Sequence, residues 1–590
     1  MLDILFLEIF SKNGQRFTTI NSFLALYVYR YLQKPKSIKL QFINREFPQE
    51  TSLIPLEQEI ESIDHPEDPN VTDLKFPVFL KGSNIFISGT CAVCREIVKS
   101  SPESTDLLGF KLSCLLAPAE TSIWTRFCEL EAVRDFNKIL SQRKTTSEIY
   151  KIPEMFLRFE GHMKLPVRMH NIYKLAREKA NKDKSSKPKG KGKVIIDCNI
   201  PKESLEIEHK FSEGISFTIA DLILYPLFKL SSLIFPSSFN FDFHFPIVKT
   251  WLESIEAFDD QCLYHLESLL DLPSLRNEQT VEEFLLEQPE KRETSNRESN
   301  SLYKSDPKRY QPRSRMFTSQ SEVEARLEKL APLGLNHSTD ESFDFGDMDQ
   351  FDWGSIDSDH LEKSSLPEKR LDRKRQQLTN LANAVTSLVN GNGTMKIVDF
   401  CSGTGPLGLL LAKKLPNCTI VILENKAISI ELARKRAQEL KLTNCLFYQT
   451  NLDYFEGKFD IGCSLHACGT ATDIVIDKCL KVKADFVSCP CCYGSIQPMP
   501  HLQYPQSKAI KSVLIQKDFL YLAHTADQAH QEGTKNTKLE TIEQGRKCME
   551  IVDTDRRMRA EELGYSVIFT KLQPENCTPK NHLLVGRFCK

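Results

Sequence analysis

Lys396-Ile397-Val398-Asp399-Phe400-Cys401-Ser402-Gly403-Thr404-Gly405-Pro406-Leu407-Gly408 is the stretch on which the reading of the C-terminal third turns. Lys396 to Phe400 reads as a short apolar strand, Cys401 to Gly405 as a glycine-rich turn, and Pro406 to Leu415 as an apolar helix. Gly403 and Gly405 let the backbone approach a ligand where a side chain would clash. A second strand, Thr419 to Leu423, ends in Glu424, about 21 residues beyond Gly403, where a carboxylate clasps the ribose hydroxyls of a nucleoside cofactor. This spacing suits NAD as well, so the turn alone leaves the cofactor open.

Working outward, a third strand, Cys445 to Gln449, ends at Thr450-Asn451-Leu452-Asp453. A fourth, Phe459 to Cys463, runs into Ser464-Leu465-His466-Ala467-Cys468-Gly469, and a fifth, Ala484 to Ser488, into Cys489-Pro490-Cys491-Cys492-Tyr493. Strands alternating with helices predict a doubly wound parallel sheet whose loops gather at the carboxyl edge. Leu583 to Phe588 reads as a last antiparallel strand, and Met549 to Arg556 as a charged helix. Arg556, Lys580, Asn581 and His582 are read as solvated surface residues within reach of a substrate.

The turn Asp399-x-x-x-Gly403-x-Gly405-x-x-Gly408 resembles motif I of the Class I, Rossmann-like methyltransferases. That resemblance selects S-adenosylmethionine over NAD, with an ordinary nucleotide-binding domain as the alternative. It implies cofactor contacts at Asp399, Cys401, Gly403, Thr404, Gly405, Glu424, Asn451, Leu452, Ser464 and Leu465. The run Ser464 to Asp473 together with Cys491-Cys492-Tyr493 resembles a subgroup that includes the tRNA 2'-O-methyltransferases of the acceptor stem. Two departures stand out: the N-terminal Cys/His zinc-finger segments of those enzymes are missing, and Tyr493-Gly494 stands where they place histidines.

Methyl transfer from a sulfonium is an in-line displacement, so an enzyme must align the acceptor and receive any proton it loses. His466 is the expected base. Cys491 or Cys492 could add covalently to a pyrimidine ring, against the plainer reading of buried inert thiols. His466, Cys468, Cys489, Cys491 and Cys492 also carry zinc-type donors, but without regular Cys-x2-4-Cys pairs, so no metal is expected.

The N-terminal half reads differently. Leu2 to Phe10, Asn21 to Gln33 and Ile38 to Ile43 form a strand, helix, strand start; Phe76 to Leu80 and Asn84 to Ser88 read as two further strands before a helix at Cys91, with Pro77 a candidate cis-proline. Residues 1–100 are thus expected to form a divergent thioredoxin-like region. Helical spacing runs from Ser104 to Leu140, and Thr218-x-x-Asp221 reads as a capping-box variant. That pair and Phe245 to Leu252 resemble the glutathione S-transferase C-terminal domain, which implies an all-α domain over 101–275 with a Lys-rich loop at 178–194.

Cys91-Ala92-Val93-Cys94 follows the later strands rather than the first, so redox work is not expected of it. Ser11 is the one residue near the end of the first strand able to activate glutathione. Nothing marks Ser11 as activated, and the resemblance to transferase-like domains that serve as docking modules in translation machinery implies a protein-docking role for this half, with glutathione binding or conjugation, or a non-catalytic scaffold, as the alternatives.

Residues 276–365 turn polar, then acidic, and read as a disordered linker; 366–590 forms the methyltransferase domain, entered through a basic helix at Lys369 to Arg375. A chain of 590 residues exceeds a single core, and 77 Lys and Arg against 79 Asp and Glu exclude a global field for nucleic acid. Eighteen cysteines are too dilute for a disulfide scaffold and are expected as thiols. The most apolar stretch, Ile219 to Phe235, is broken by Asp221, Pro226 and Lys229, so no membrane association is expected. Without a secretory leader pattern, the expected compartment is the cytoplasm, the expected partners RNA and other proteins, and the oligomeric state is open.

Overall fold

The computed structural model describes residues 2–48, 52–57, 61–119, 121–143, 149–167, 207–275, 283–288, 318–335, 343–346, 368–389, 393–529 and 539–589, with short described stretches between 172 and 205 and at 281 and 302. The Lys-rich loop and most of 276–365 lie outside them. The chain divides into two compact units, one drawn from residues 1–83 and 87–314, the other from 84–86 and 315–590.

In the first unit, β1 (Asp3–Lys12) lies parallel to β3 (Ile38–Arg45) and antiparallel to β5 (Val78–Lys81), with β6 (Ile85–Ser88) beyond β5. β2 (Gln15–Thr18) pairs with the far end of β1 and with β4 (Ile54–Leu56). This is the thioredoxin-like order, and the Phe76–Pro77 bond leading into β5 is cis. The helix Thr90–Lys99 that follows buries both Cys91 and Cys94, and burial pushes both thiols up. A dithiol held this way lacks the exposed thiolate that exchange chemistry needs.

The helical part differs from the continuous helix read over Ser104 to Leu140. Pro102–Leu108 and Phe110–Leu112 are 3-10 turns, and regular helix begins at Ile123. The break has a backbone cause: Gly109, Lys111, Leu112 and Leu115 all adopt positive φ, which no helix accommodates. Thr218 and Asp221 do start the helix Ile219–Ile234 as a capping box. Asp221 goes further. It is fully buried, and its carboxylate accepts from Ser212 N at 2.7 Å, Thr218 N at 2.9 Å and Trp251 Nε1 at 3.0 Å. Trp251 belongs to the helix Pro246–Phe258, so one carboxylate joins two helices and a loop around a core of Phe159, Phe228 and Trp251 rings.

Two stretches read as linker are structured. β8 (Glu283–Leu286) pairs in parallel with β7 (Ile149–Ile152). The helix Gln320–Leu330 belongs to the second unit, where Val323 and Leu330 are buried with Tyr521, Leu522 and Met549. Its apolar stripe of Val323, Leu327 and Leu330 keeps helical spacing inside a charged sequence, a pattern too narrow to stand out by composition.

The second unit carries a sheet in the order β11-β10-β9-β12-β13-β15-β14. Here β9 is Lys396–Phe400, β10 Thr419–Glu424, β11 Cys445–Gln449, β12 Ile461–Cys468, β13 Asp485–Cys491, β14 Tyr565–Lys571 and β15 His582–Phe588. The first five are parallel, and β15 is antiparallel to both β13 and β14. The order reverses between β9 and β12, the switch point at which open α/β sheets bind ligands. β12 runs five residues and β13 three residues further than their apolar runs predicted. Ser464 and Ser488, both buried, satisfy each other through a 2.9 Å hydroxyl contact, so polar residues continue the strands inside the core.

The long helix Leu539–Glu561 is locked to the sheet by a buried ionic cluster. Arg556 Nε and Nη2 donate to the two oxygens of Asp473 at 2.8 and 3.0 Å, and Nη1 donates to Asp553 at 2.8 Å. Asp553 also accepts from Tyr493 at 2.7 Å and meets His582 Nδ1 at 2.7 Å; Tyr504 donates to Asp473 at 2.9 Å. Arg556 and His582 are thus interior residues, not the surface groups read from the sequence, because each finds a carboxylate that offsets its burial. Among the described residues no helix is long and apolar enough to cross a membrane.

Two substitutions test these centres. Arg556→Met strands Asp473 and Asp553 without their cation and is expected to destabilise the second unit by about 3–5 kcal/mol, read as a lower denaturant midpoint with early amide exchange in Leu539–Glu561. Asp221→Ala leaves three buried N–H donors unmatched and should lower the stability of the first unit by about 2–4 kcal/mol, read by thermal unfolding of the full chain.

Candidate active site

Asp399 stands near the end of β9, buried, with Oδ2 accepting from Gly408 N at 2.9 Å. Burial raises its carboxyl to about 7, against the pull of the Gly408 amide and of Lys374, with the Glu424 charge adding to the rise. Cys401, Gly403 and Gly405 follow at φ +55°, +58° and +78°, so the loop reverses tightly and delivers Gly405 as the cap of the helix Pro406–Lys414.

The glycines divide their work. A Cβ at Gly408 would lie 2.7 Å from Ile422, and one at Gly405 would lie 3.0 Å from Ala433, so both serve the packing of loop and helix on β10 and its following helix. A Cβ at Gly403 would meet nothing within 4 Å. That space, at a left-handed backbone position beside a strand end, is a cradle a ligand can enter.

Glu424, half-buried at the end of β10, reaches back across the loop. Its Oε2 accepts from Gly403 N at 2.9 Å, while Oε1 accepts from Asn425 N at 3.0 Å and Lys426 N at 3.1 Å. Ser402 N donates to Leu423 O at 3.1 Å, and Arg436 Nη1 donates to Thr404 Oγ1 at 2.8 Å, fixing the loop from both sides. Thr450 N donates to Glu424 O at 3.0 Å, which brings half-exposed Asn451 and Leu452 to the same edge. Ser464 and Leu465 lie buried inside β12, with the Ser464 hydroxyl engaged by Ser488.

Beyond Leu465 the pairing of β12 with β13 slips by a residue before resuming at Cys468 and Cys491. His466 occupies the slip at φ +73°, its side chain reaching solvent from the carboxyl edge. Crowding by protein atoms and the nearby Lys374 charge lower its imidazole to about 4, against a small opposing effect of Cys492. The ring is therefore neutral at pH 7, and a weaker base than an ordinary imidazole.

The slip also gathers thiols. Cys468 Sγ lies 3.5 Å from Cys491 Sγ and 3.4 Å from Cys492 Sγ, and Gly469 N donates to Cys491 O at 3.0 Å. Hydrogen bonds from Cys468 and Cys492, then burial, push the Cys491 thiol far up, which argues against it as a ready nucleophile. Cys489 stays apart, buried, its Sγ 3.7 Å from Lys580 O. No disulfide occurs among the described residues.

Three further residues neighbour this edge: the sequence does not single out Asp527, Lys580 reads from it as a surface residue within reach of a substrate, and Lys374 as part of the basic lead-in helix. Asp527 accepts from Gly494 N at 3.0 Å and lies 3.9 Å from Lys580 Nζ; Lys580 also donates to Ala526 O and sits 5.5 Å from the Tyr493 ring. Burial lowers the Lys580 ammonium to about 8. The third, Lys374, comes from the helix Glu368–Leu388. Tyr493, by contrast, is buried and bound to Asp553, a structural residue where related motifs place histidines. On the other unit, Ser11 lies exposed near the end of β1, hydrogen-bonded by Arg16.

Residues 373–499 match a family model described as a methyltransferase domain. The chain is 50% identical over its full length, and over the full length of the relative, to a glutathione S-transferase C-terminal domain-containing protein homolog of Drosophila melanogaster. It is 32% identical to the mouse glutathione S-transferase C-terminal domain-containing protein, over 88% of this chain and 86% of that one. Among solved structures, magnesium protoporphyrin IX methyltransferase from Synechocystis with bound SAH aligns over 40% of this chain and 94% of its own, at 12% identity and a TM-score of 0.25. The full-length match makes this chain a member of the glutathione S-transferase C-terminal domain-containing protein family, with its methyltransferase domain in the unit that holds the glycine loop, Asp399 and Glu424.

Proposed function

We propose that the second unit is an S-adenosylmethionine-dependent methyltransferase acting on RNA in the cytoplasm, and that the glutathione S-transferase-like half docks protein partners. The observation that carries this reading is the joint made by Asp399, Gly403 and Glu424 across the ends of β9 and β10. It offers an open space at Gly403, a carboxylate at the position suited to ribose hydroxyls, and a second, buried carboxylate behind the loop. A nucleoside carrying a cationic sulfonium fits that donor and charge set. Asn451 and Leu452 would flank the adenine from the end of β11. The cofactor, when bound, supplies the electrophilic methyl group.

The chain's own part is to orient the acceptor and take its proton. His466, exposed on the carboxyl edge, is the group placed for the second task; its ring is neutral at pH 7, though its lowered pKa makes it a weaker base than an ordinary imidazole. For RNA, the basic start of the helix Glu368–Leu388 supplies phosphate-binding charge: Arg370 and Arg373 are exposed there, and Lys374 lies near His466.

Titration of the purified chain with S-adenosylmethionine should show one saturable site. Glu424→Ala should weaken it by about tenfold to a hundredfold, the loss of charged hydrogen bonds worth about 1.5–3 kcal/mol, and Gly403→Arg should abolish it by filling the open space. With labelled cofactor, methyl groups should enter RNA, and His466→Ala should slow transfer by about 10²-fold or more while leaving cofactor affinity intact. Unchanged binding in both site variants would overturn the assignment; label in protein alone would overturn the RNA acceptor.

The raised Asp399 carboxyl predicts a pH dependence. An ionised carboxylate attracts the cationic cofactor and a protonated one does not, so affinity should rise between pH 6 and pH 8 as Asp399 loses its proton near 7. Asp399→Asn should flatten that profile, measured as Kd against pH.

A further inference from the structure

We infer that Cys468, Cys491 and Cys492 form a three-thiolate binding site for a soft divalent cation of the Zn2+ type, with its fourth ligand position open to solvent. The three sulfurs lie within 4.8 Å of one another, two of the pairs at 3.4 and 3.5 Å. Zn–S bonds of about 2.3 Å in tetrahedral geometry place sulfurs about 3.8 Å apart, so the two pairs made by Cys468 need only a few tenths of an ångström of adjustment and the third pair at most about 1 Å to enclose the ion.

The convergence is built by the backbone. Cys468 ends β12 and Cys491 ends β13; the slipped register after Leu465, the positive φ of His466 and the left-handed Cys492 turn all three side chains to one place, where regular pairing would point neighbours to opposite faces. The Gly469 N to Cys491 O bond clamps the two strand ends together at that point. Buried cysteines elsewhere in the chain, Cys489 among them, form no such cluster among the described residues.

The protonation chemistry agrees with the geometry. Three thiols this close cannot all ionise without a cation, since each thiolate opposes the next. Binding replaces three S–H protons by one ion: Zn2+ + 3 RSH + H2O gives [Zn(SR)3(OH2)]− + 3 H+, with no change of oxidation state. Among the described residues, Lys580 lies within electrostatic reach of Cys491 and Cys492 and His466 within reach of Cys492, with Lys374 near His466 and Asp527 beside Lys580. The two ammonium groups favour the net negative complex, and Asp527 is already engaged with Gly494 and Lys580. Cys468 is exposed and Cys492 half-exposed, which leaves water a route to the fourth position. The site does not depend on methyl transfer, so either assignment can fail alone.

The test uses the full chain, stripped with chelator under reducing conditions, loaded with Zn2+ and desalted; metal per chain is read by mass spectrometry, and Co2+ loading by absorption. One Zn2+ per chain and thiolate-to-cobalt charge-transfer bands in the near ultraviolet are expected. Cys468→Ser and Cys491→Ser should each lower affinity at least a hundredfold, whereas Cys589→Ser, an exposed cysteine outside the trio, should retain the ion. Cys492→His, which keeps a donor, should retain cobalt with shifted visible bands and so separates lost ligation from misfolding. Absence of retained metal in the unmodified chain, retention by a Cys468→Ser, Cys491→Ser double variant, or a mass lower by two hydrogens from a Cys468 to Cys491 disulfide that persists under metal loading would overturn it.

Discussion

The arrangement of the methyltransferase unit hangs on Arg556. Its guanidinium is buried, and each of its three nitrogens donates to a carboxylate, bridging Asp473 on the helix after β12 and Asp553 on its own helix. Through Asp553 the same cluster reaches Tyr493 in the turn after β13 and His582 at the start of β15. Four elements that frame the carboxyl edge therefore meet in one ionic centre. The hydrogen bonds from His582 and Tyr493 and the charge of Arg556 overcome the penalty of burial and hold the Asp553 carboxyl below its ordinary range. Apolar residues of equal volume often stabilise as well as such a centre does, but its bonds are directional, and through Asp553 it ties down Tyr493, which directly follows Cys491 and Cys492.

At the other end of the same edge, the glycine loop works by a division between packing and access. Gly405 and Gly408 give way to Ala433 and Ile422, so that the helix Pro406–Lys414 can sit close on the sheet, while Gly403 leaves its space open. Glu424 braces the loop through three backbone amides before any ligand arrives. These bonds hold the carboxylate in one position, which is the position the proposed nucleoside site requires of it. Asp399 behind the loop carries the opposite property: burial keeps its proton until near neutral pH, which couples the charge of the site to the medium.

The transferase-like unit follows a related principle with a different result. Asp221 gathers three donors inside the helical core as Arg556 gathers acceptors in the other unit, and each replaces apolar contact by a directional bond at a helix junction. The groups that would mark chemistry in this unit are turned to structure: Cys91 and Cys94 are interior thiols. Ser11 is exposed and bound by Arg16.

By itself the sequence determined the elements whose cause is local or periodic. The strand, turn and helix from Lys396 to Leu415, the acidic end of β10, the capping box at Thr218 and the cis-proline before β5 were all legible, because glycine, proline, capping residues and apolar period act over a few positions. The break between Pro102 and Leu112 and the helix Gln320–Leu330 were not, since positive φ at ordinary residues and a three-residue apolar stripe leave little trace in composition. Only tertiary structure decided which polar residues are interior. Arg556 and His582 look like surface groups until Asp473 and Asp553, the former some eighty residues away in the chain, come within hydrogen-bond reach. The meeting of Cys468 with Cys491 and Cys492 was likewise invisible to spacing, because it depends on a one-residue slip between two strands, and register is a property of the pair rather than of either strand.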